Sequence, residues 1–230
     1  MLSLLMLTTL TTAQAFEVKH NDNHAVLRWG AAPIRYSLNV SGAEGMDPER
    51  VEHLVQLAAS QFESISGVDI EFQYEGLTDN AQVDFDDGIN TIYFEHDWDR
   101  DADLLAVTDI WSVEDGEIIA FDMAINVDHH DWSTDGEDAS NDLFNTLTHE
   151  FGHVLGLDHS DDVSATMYGS TQQGELTKRD LANDDRDAIR YLYEGQEVVG
   201  CSSMGDRGRT PLSAVLLGFL SLAALRREGR

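Results

Sequence analysis

Residues 149–159 read HEFGHVLGLDH, and this stretch is the strongest indication of the chain's architecture. It has the form H-E-x-x-H-x-x-G-x-x-H. His149 and His153 are four residues apart, so on a helix they lie on one face and can bind one metal ion together. Glu150 faces the same cleft, where it can polarise a water molecule on that ion. The spacing predicts a helix that carries two metal ligands and a general base.

The second half of the stretch predicts a turn and a third ligand. Gly156 can adopt the left-handed conformation that ends a helix and turns the chain. That turn can bring His159 beside the first two histidines. Three neutral imidazoles leave the charge of Zn²⁺ uncompensated and one coordination position open, as in a catalytic zinc site. The alternative is that the histidines are ordinary polar groups, but three histidines and a glutamate would be costly to bury unpaired.

A methionine-containing turn follows the histidines. Residues 164–169 read SATMYG and come after a short acidic loop. Together with the histidine pattern, they resemble the Met-turn of the metzincin metalloproteases, in which a methionine lies beneath the zinc-binding histidines. Met167 matches that methionine. The resemblance implies that its thioether is an apolar floor and not a ligand, a role that differs little from that of an ordinary core methionine.

Within the metzincins, the chain resembles the matrixins, which include the matrix metalloproteases and their bacterial relatives. Tyr168 directly follows the methionine, as in matrixins. Astacin-like and serralysin-like enzymes carry a metal-reaching tyrosine one place later, where Gly169 stands here, so no tyrosine ligand is expected. The resemblance extends from about Trp29 to Tyr193 and is strongest over residues 146–169. It implies a metzincin, matrixin-like zincin fold of the α/β (α+β) class, with a twisted mixed sheet, long helices and a Met-turn.

The resemblance implies a zinc-dependent endopeptidase that acts on protein or peptide substrates. His149, His153 and His159 would hold Zn²⁺, which lowers the pKa of a bound water. Glu150 would act as general base and then pass the proton to the leaving amine. Two alternatives stay open: a non-catalytic surface protein for adhesion or calcium-dependent binding, and an enzyme for cell-wall peptides. The presence of Glu150 argues against the first, because a binding module needs no general base.

The N-terminal residues predict export. The chain has 230 residues, 42% of them hydrophobic, which suits one globular domain with terminal signals. Residues 1–15 form an apolar run that ends in Ala13-Gln14-Ala15, typical of a signal peptide cut before Phe16, although no Lys or Arg precedes Lys19. A buried N-terminal helix is the alternative. The catalytic domain is expected over residues 16–195.

The C-terminal residues predict a second signal. A linker with the single cysteine, Cys201, is expected over residues 196–210, and a hydrophobic tail over residues 211–230. The uncharged run 212–225 is shorter than the roughly 20 residues that span a bilayer. Cysteine, short apolar helix and the pair Arg226-Arg227 resemble the C-terminal sorting tails of myxobacteria, which implies membrane recognition, cutting near the cysteine and retention at the cell surface. A core helix is the alternative.

The single cysteine also bears on regulation. It allows no intramolecular disulfide, although the chain is expected to be exported. No cysteine precedes the histidine pattern. A propeptide cysteine that occupies the zinc, as in matrix metalloproteases, is therefore not expected.

The chain is strongly acidic, with 43 acidic and 14 basic residues and a formal net charge of −29. Such a surface repels nucleic acid and anionic lipid, so neither is an expected partner, and membrane contact is expected only through the tail. We expect a monomer. The acidity fits either Ca²⁺ binding by acidic loops or adaptation to salty water. The acidic runs cover residues 84–87, 97–103 and 135–138, and none matches an EF-hand loop, so solvated loops are the simpler interpretation.

A second zinc site is not predicted. Matrixins commonly carry one in a histidine-rich loop. Here His96, His129 and His130 do not form such a pattern.

Hydrophobic periodicity predicts alternating strands and helices. A helix should begin at the cap Asp47 with Pro48 in its first turn and end near Gly67. A final helix should begin at Thr177, with Asp180 as its capping-box partner. The matrixin resemblance implies an edge strand that pairs antiparallel with an extended substrate, and by position this should be the strand 117–127. The other expected elements are strands at 34–40, 68–74, 90–94 and 106–113, the metal-binding helix at 141–155, and the end of the final helix near Tyr193.

Overall fold

The largest element of the structure is a mixed sheet of eight strands. The structure is a computed structural model that describes residues 15–30, 33–136 and 140–194 and the backbone of residues 219–227. The strands are β1 (Arg28–Trp29), β2 (Ile34–Asn39), β3 (Phe72–Leu77), β4 (Thr91–Glu95), β5 (Leu104–Ser112), β6 (Glu117–Asn126), β9 (Ser170–Thr171) and β10 (Phe219–Arg227). Their order in the sheet is β3-β2-β4-β6-β5-β10-β9, with β1 beside β6. Two further strands, β7 (Trp132–Ser133) and β8 (Asn141–Asp142), pair with each other.

Three helices accompany the sheet: α1 (Pro48–Glu63), α2 (Leu143–Val154) and α3 (Asn183–Tyr193). The predicted α/β arrangement of a mixed sheet and helices is therefore confirmed. The strands predicted from β-forming runs are present with bounds shifted by one or two residues, except that β3 spans Phe72–Leu77 instead of residues 68–74.

Helix α1 begins as its sequence predicts. The Asp47 carboxylate accepts a hydrogen bond from the Glu49 N–H at 3.1 Å, and Pro48 occupies the first turn, where its missing N–H costs nothing. The helix ends at Glu63, before the predicted end at Gly67. Its apolar face is buried and consists of Val51, Leu54, Val55, Ala58, Ala59 and Phe62.

Helix α2 is buried along its whole length, which is rare for a helix that carries ionisable residues. Phe151 points away from the histidines, because a residue two positions from each of them lies on the opposite face. Its ring packs edge-on against Tyr36 on β2, at 5.8 Å between centroids, and Phe72 on β3, at 5.2 Å. These contacts fix the rotation of α2, so that His149 and His153 face away from this aromatic cluster.

The N-terminus of α2 is capped by a buried carboxylate. Asp142 accepts a hydrogen bond from the Asn145 N–H at 2.8 Å. Arg179 donates two further hydrogen bonds to the same carboxylate, one from each of two guanidinium nitrogens. Because this charge is buried, the bidentate arginine offsets the cost of its desolvation.

The structure corrects the predicted edge strand. β6 lies inside the sheet, paired in parallel with β4 on one side and antiparallel with β5 on the other. The prediction that residues 117–127 form the substrate-binding edge is therefore wrong. In the β5–β6 hairpin, each strand has one edge that does not pair with the other strand. β4 pairs in parallel with that edge of β6, so the outer edge of the hairpin belongs to β5.

The final helix is shorter than predicted. A 3₁₀ turn at Thr177–Arg179 precedes α3, which begins only at Asn183. Asp180 has an extended backbone and does not cap the helix, so that prediction is wrong. Instead the Asp185 carboxylate accepts a hydrogen bond from the Ala182 N–H at 2.7 Å. The turn does not continue into the helix because the extended backbone of Asp180 interrupts the helical path.

The C-terminal tail differs from its prediction where it is described. The backbone of residues 219–227 forms strand β10 and not part of an apolar helix. A physical reason lies in β5, whose outer edge offers a row of backbone donors and acceptors that a strand can satisfy. The predicted signal peptide up to residue 14, the linker with Cys201 and the rest of the tail lie outside the described residues. Within the described residues, no helix has both the length and the apolar character needed to cross a bilayer.

Candidate metal centre

The three histidines of the motif converge on one point. Their nearest ring nitrogens all lie within 4.8 Å of one another, and the Nε2 atoms of His153 and His159 are 3.2 Å apart. The Nε2 of His149 is buried and has no hydrogen-bond partner within the described part of the chain. A buried polar atom without a partner is costly, and a metal ion at this point would satisfy it. The donor set therefore fits a tetrahedral Zn²⁺ with one open position.

The other nitrogens of two of these rings are held by backbone carbonyls. Nδ1 of His149 donates to the Thr166 carbonyl at 2.7 Å, and Nδ1 of His153 donates to the Leu157 carbonyl at 2.9 Å. A carbonyl can only accept, so in the neutral rings the proton is on Nδ1 and the lone pair is on Nε2. Both lone pairs are thereby aimed at the point of convergence, as metal binding requires.

The electrostatics of the cleft favour neutral imidazoles. Burial lowers the pKa of both His149 and His153 well below the usual histidine range, with the positive charge of Lys178 adding to the effect at His149. A protonated imidazole cannot bind a metal, so this environment keeps both rings in their ligating form near neutral pH.

Gly156 turns the chain so that His159 can reach the other two rings. Its φ is +92°, in the region that favours glycine, and a Cβ there would lie 2.2 Å from the Leu27 carbonyl oxygen. The Leu157 N–H bonds the Gly152 carbonyl at 3.0 Å and the Gly156 N–H bonds the His153 carbonyl at 2.9 Å. This pair of bonds is a Schellman motif, the helix ending predicted for a glycine at this position.

Glu150 lies next to the histidines and is fully buried. The hydroxyl of Thr108, on β5, donates a hydrogen bond of 2.6 Å to its Oε2. Helix α2 and strand β5 thus jointly orient the carboxylate. Thr108 had not been predicted as a site residue, because an isolated threonine in a strand gives no sign of its partner 42 residues away.

The methionine turn lies directly beneath α2. A Cβ on Gly152 would lie 2.2 Å from the Met167 sulfur, so only glycine allows this approach. On the other side, the Asp185 carboxylate accepts hydrogen bonds from the N–H groups of Thr166 and Met167, each at 2.9 Å. Helix α3 therefore holds the turn that supports the histidines. Asp185 was also missed, because only the fold brings it to residues 166 and 167.

The sequence profile of the matrixin family of peptidases matches residues 28–194. The chain belongs to this family. The matched range agrees with the predicted extent, from about Trp29 to Tyr193, and it contains the three histidines and Met167.

Several curated matrixin relatives match a shorter part of the chain. Mouse (Mus musculus) matrilysin is 41% identical over 66 residues, which cover 29% of this chain and 25% of matrilysin. Metalloendoproteinase 1 of Glycine max is 50% identical over 52 residues, covering 23% of this chain and 17% of that protein. Human (Homo sapiens) matrix metalloproteinase-27 is 41% identical over 64 residues, covering 28% and 12%. The matches thus span a quarter or less of the length of these three relatives.

A buried lysine shapes the far side of the matrixin cleft. The Lys178 ammonium donates to the carbonyl oxygens of Tyr168 and Ser170, the latter at 2.7 Å, and its backbone N–H donates to the Asn145 side chain at 2.7 Å. Lysine is almost never buried unless its charge has partners. Here it holds the end of the Met-turn and the start of β9 together. Sequence reasoning missed it, since a lysine in a polar loop suggests solvent exposure.

Gly169 lies against the third histidine. A Cβ at this position would be 2.7 Å from the Nδ1 of His159, so a larger residue would displace the ring. The chain therefore needs glycine here to keep His159 in place.

The remaining candidate ion ligands lie apart from this centre. His96 pairs with Glu44 at the surface at 2.7 Å, His129 lies 3.8 Å from Asp128, and His130 is buried. Over residues 15–194, excluding the gaps at 31–32 and 137–139, the three motif histidines are the only group of three or more histidine, cysteine or acidic residues placed so that they could hold a metal ion.

Proposed function

We propose that this chain is a zinc-dependent endopeptidase that hydrolyses peptide bonds in protein or peptide substrates. The observation that carries the proposal is the convergence of His149, His153 and His159, with two lone pairs aimed inward, next to the buried carboxylate of Glu150. Membership of a peptidase family supports the same conclusion. So do the names of its relatives, one of which is a metalloendoproteinase.

The three histidines would hold the zinc ion, which when bound supplies a Lewis acid for the scissile carbonyl and lowers the pKa of water. Glu150 would accept a proton from the attacking water and return it to the leaving amine. Thr108 keeps the Glu150 carboxylate oriented through its 2.6 Å hydrogen bond. Met167 packs beneath α2 and keeps that side of the histidines dry and apolar.

The substrate would bind in extended form along the outer edge of β5, opposite β9. This edge carries Thr108, the partner of Glu150, so a strand added there would pass directly by the proposed base. Main-chain hydrogen bonds to β5 would provide affinity that depends little on sequence, and pockets beside the zinc would select side chains.

The test compares zinc-loaded wild type and two variants, with matched zinc content, on an unfolded protein substrate. Glu150→Gln should lower kcat by roughly 10²–10⁴-fold, because general base catalysis contributes about that much. Glu114→Gln, in the exposed β5–β6 turn, is the control and should keep full activity. A chelator should abolish activity and added Zn²⁺ should restore it. Equal activity in wild type and Glu150→Gln, or activity that survives removal of the metal, would refute the proposal.

We also propose that the chain is exported and retained at the cell surface. The apolar run over residues 1–15 and the tail with Cys201 support this, as does an acidic composition suited to an external medium. The mature N-terminus should then be Phe16. Detection of the intact chain with Met1 in the cytoplasm alone would refute export. A monomeric state and calcium binding by the acidic loops remain predictions.

A further inference from the structure

The C-terminal strand lies in the groove that the proposed substrate needs. β10 pairs antiparallel with β5, with a register that runs from Phe219 opposite Ser112 to Leu225 opposite Ala106. Its other edge pairs in parallel with β9, where Arg226 is opposite Ser170. The segment therefore fills the space between β5 and β9, with backbone pairing on both sides.

The register places this segment beside the catalytic residues. Ala223 of β10 is opposite Thr108, whose hydroxyl bonds Glu150. On the other side, β9 directly follows Gly169, which lies against His159. β10 thus passes between the strand that orients the proposed base and the segment next to the third histidine.

We propose that residues 219–227 are an internal ligand of the cleft, which blocks the substrate groove and holds the chain in a latent state. Occupancy of the groove rests on the strand pairing, and its effect on hydrolysis rests on the proposed function. The occupant is this chain's own tail, and it binds by β-augmentation with the antiparallel direction expected of a substrate on β5.

The composition of the tail suits this role. Residues 219–225 are uncharged and are followed by two arginines, whereas the whole chain has a net charge of −29. An uncharged strand avoids repulsion from the acidic protein, and the terminal arginines are attracted to it. The nine residues of β5 form a long sheet edge, and covering it also removes a site for aggregation.

The covalent connection makes even weak pairing effective. A tethered segment has an effective concentration of about 1 mM, so a strand with a Kd of roughly 0.1 mM would fill the groove in about nine-tenths of the molecules. Cutting the chain between residues 195 and 218 would remove this advantage. Processing near Cys201 would therefore activate the enzyme.

The first test measures occupancy in the full chain carrying Glu150→Gln, which cannot remove its own tail by the proposed chemistry. Hydrogen exchange of the β5 amides is compared with and without the double substitution Ala223→Pro/Ala224→Pro. Neighbouring residues of a strand point their N–H groups to opposite edges, so one of the two prolines removes a donor facing β5. Ala223→Ser/Ala224→Ser keeps every backbone donor and is the control. We expect faster exchange at residues 104–112 in the proline variant alone, and equal exchange in all three would overturn the proposal.

The second test measures latency in the full chain with Glu150 intact and zinc bound. The proline variant should cleave a short peptide about tenfold faster at early times than wild type, given the occupancy estimated above. A synthetic peptide of residues 217–229 added to the proline variant should raise KM and leave kcat unchanged. Intact mass must show that the wild-type tail is still attached. Equal initial rates with an intact tail would overturn the latent state.

The two tests also separate this inference from the proposed function. One outcome is that no variant hydrolyses any substrate, whereas the β5 amides exchange slowly with the unsubstituted or serine-substituted tail and fast with the proline-substituted tail. In that case the endopeptidase assignment fails and groove occupancy stands. If hydrolysis depends on Glu150 but the β5 amides exchange equally fast with every form of the tail, the endopeptidase assignment stands and the internal ligand is refuted.

Discussion

At the scale of single residues, the metal centre depends on glycines at positions that have no room for a Cβ atom. Gly152, Gly156 and Gly169 each lie so close to another group that a Cβ would collide, with the Met167 sulfur, the Leu27 carbonyl and the His159 ring in turn. Protein interiors tolerate such overlaps poorly, since they are packed as densely as organic crystals. The histidines therefore hold their geometry because their neighbours are small.

Thr108 provides a prediction at this scale. Thr108→Val keeps the shape of the side chain but removes the hydroxyl that bonds Glu150, so the carboxylate loses its orientation and part of the stabilisation of its charged form. We expect kcat to fall about tenfold, by the loss of roughly 1.4 kcal/mol for a hydrogen bond to a charged group, with KM little changed. The acidic limb of the pH–rate profile should move to higher pH.

Thr108→Ser is the matched control, because it keeps the hydroxyl and loses only a methyl group. It should recover most of the activity and the wild-type pH profile. If Thr108→Val and Thr108→Ser behave alike, the hydroxyl does not position Glu150.

At the scale of elements, the centre is assembled from parts of the chain that are distant in sequence. Helix α2 supplies two histidines and the carboxylate of Glu150, β5 orients that carboxylate through Thr108, and α3 supports the Met-turn through Asp185. Each connection is a hydrogen bond between buried groups, where an unsatisfied partner would be costly. The position of α3 and the binding of zinc should therefore be linked.

Asp185→Asn tests this link. The amide nitrogen of asparagine cannot accept a hydrogen bond, so at least one of the backbone donors at Thr166, Met167 or Ala182 loses its partner. We expect the free energy of unfolding to fall by roughly 1–3 kcal/mol and zinc affinity to weaken. Chemical denaturation and competition with a zinc chelator measure the two effects. Asp187→Asn, an exposed change on the same helix, should alter neither, and an unchanged zinc affinity in Asp185→Asn would show that α3 does not support the site.

A buried acid in β6 makes stability depend on pH. Burial raises the pKa of Asp122 to about 7, in spite of hydrogen bonds from the N–H groups of Asp84 and Thr91. The folded protein therefore binds this proton more tightly than the unfolded chain, in which the pKa is about 4. Its stabilising contribution is complete below pH 4 and is lost as pH rises to about 7.

The corresponding prediction concerns the slope of stability against pH. In wild type, the free energy of unfolding from urea titrations should contain a component that declines between about pH 4 and pH 7. Asp122→Asn should remove that component, whereas the exposed Asp115→Asn in the hairpin turn should retain it. If the Asp122→Asn and wild-type curves are parallel over this range, Asp122 does not titrate in it.

At the scale of the whole molecule, the dominant property is a net charge of −29. Such a charge keeps a protein soluble but destabilises its folded state through self-repulsion, which salt screens. If the acidity is an adaptation to salty water, Tm should rise gradually as NaCl increases towards about 1 M, where the Debye length is about 3 Å. KCl should have the same effect.

Calcium gives a distinct result in the same assay. Specific sites in the acidic loops should produce a rise in Tm that saturates at millimolar CaCl₂ when ionic strength is held constant, because ligand binding stabilises the folded state by mass action. MgCl₂ at equal concentration is the control. A steady rise with every salt and no calcium-specific step would leave screening as the explanation and exclude structural calcium sites of that affinity.

Local spacing was sufficient to predict helix α2, its glycine ending and five strands of the sheet, β2 to β6. The convergence of His149, His153 and His159 was also predictable, because the four-residue separation and one turn act within a few residues of chain. Helix periodicity and glycine conformation are properties of neighbouring residues, so they are visible in sequence. The cap of α1 at Asp47 was predictable for the same reason.

The partners of these groups were settled by the tertiary structure alone. Thr108, Lys178 and Asp185 reach the site from elements remote in sequence. β5 became the outer strand of the β5–β6 hairpin because β4 pairs in parallel with β6. The placement of the tail as β10 on β5 was likewise beyond prediction, since its apolar run suggested a helix. Strand pairing and buried hydrogen bonds are choices among many distant segments with similar local preferences, and only the folded chain as a whole determines which of them minimises the free energy.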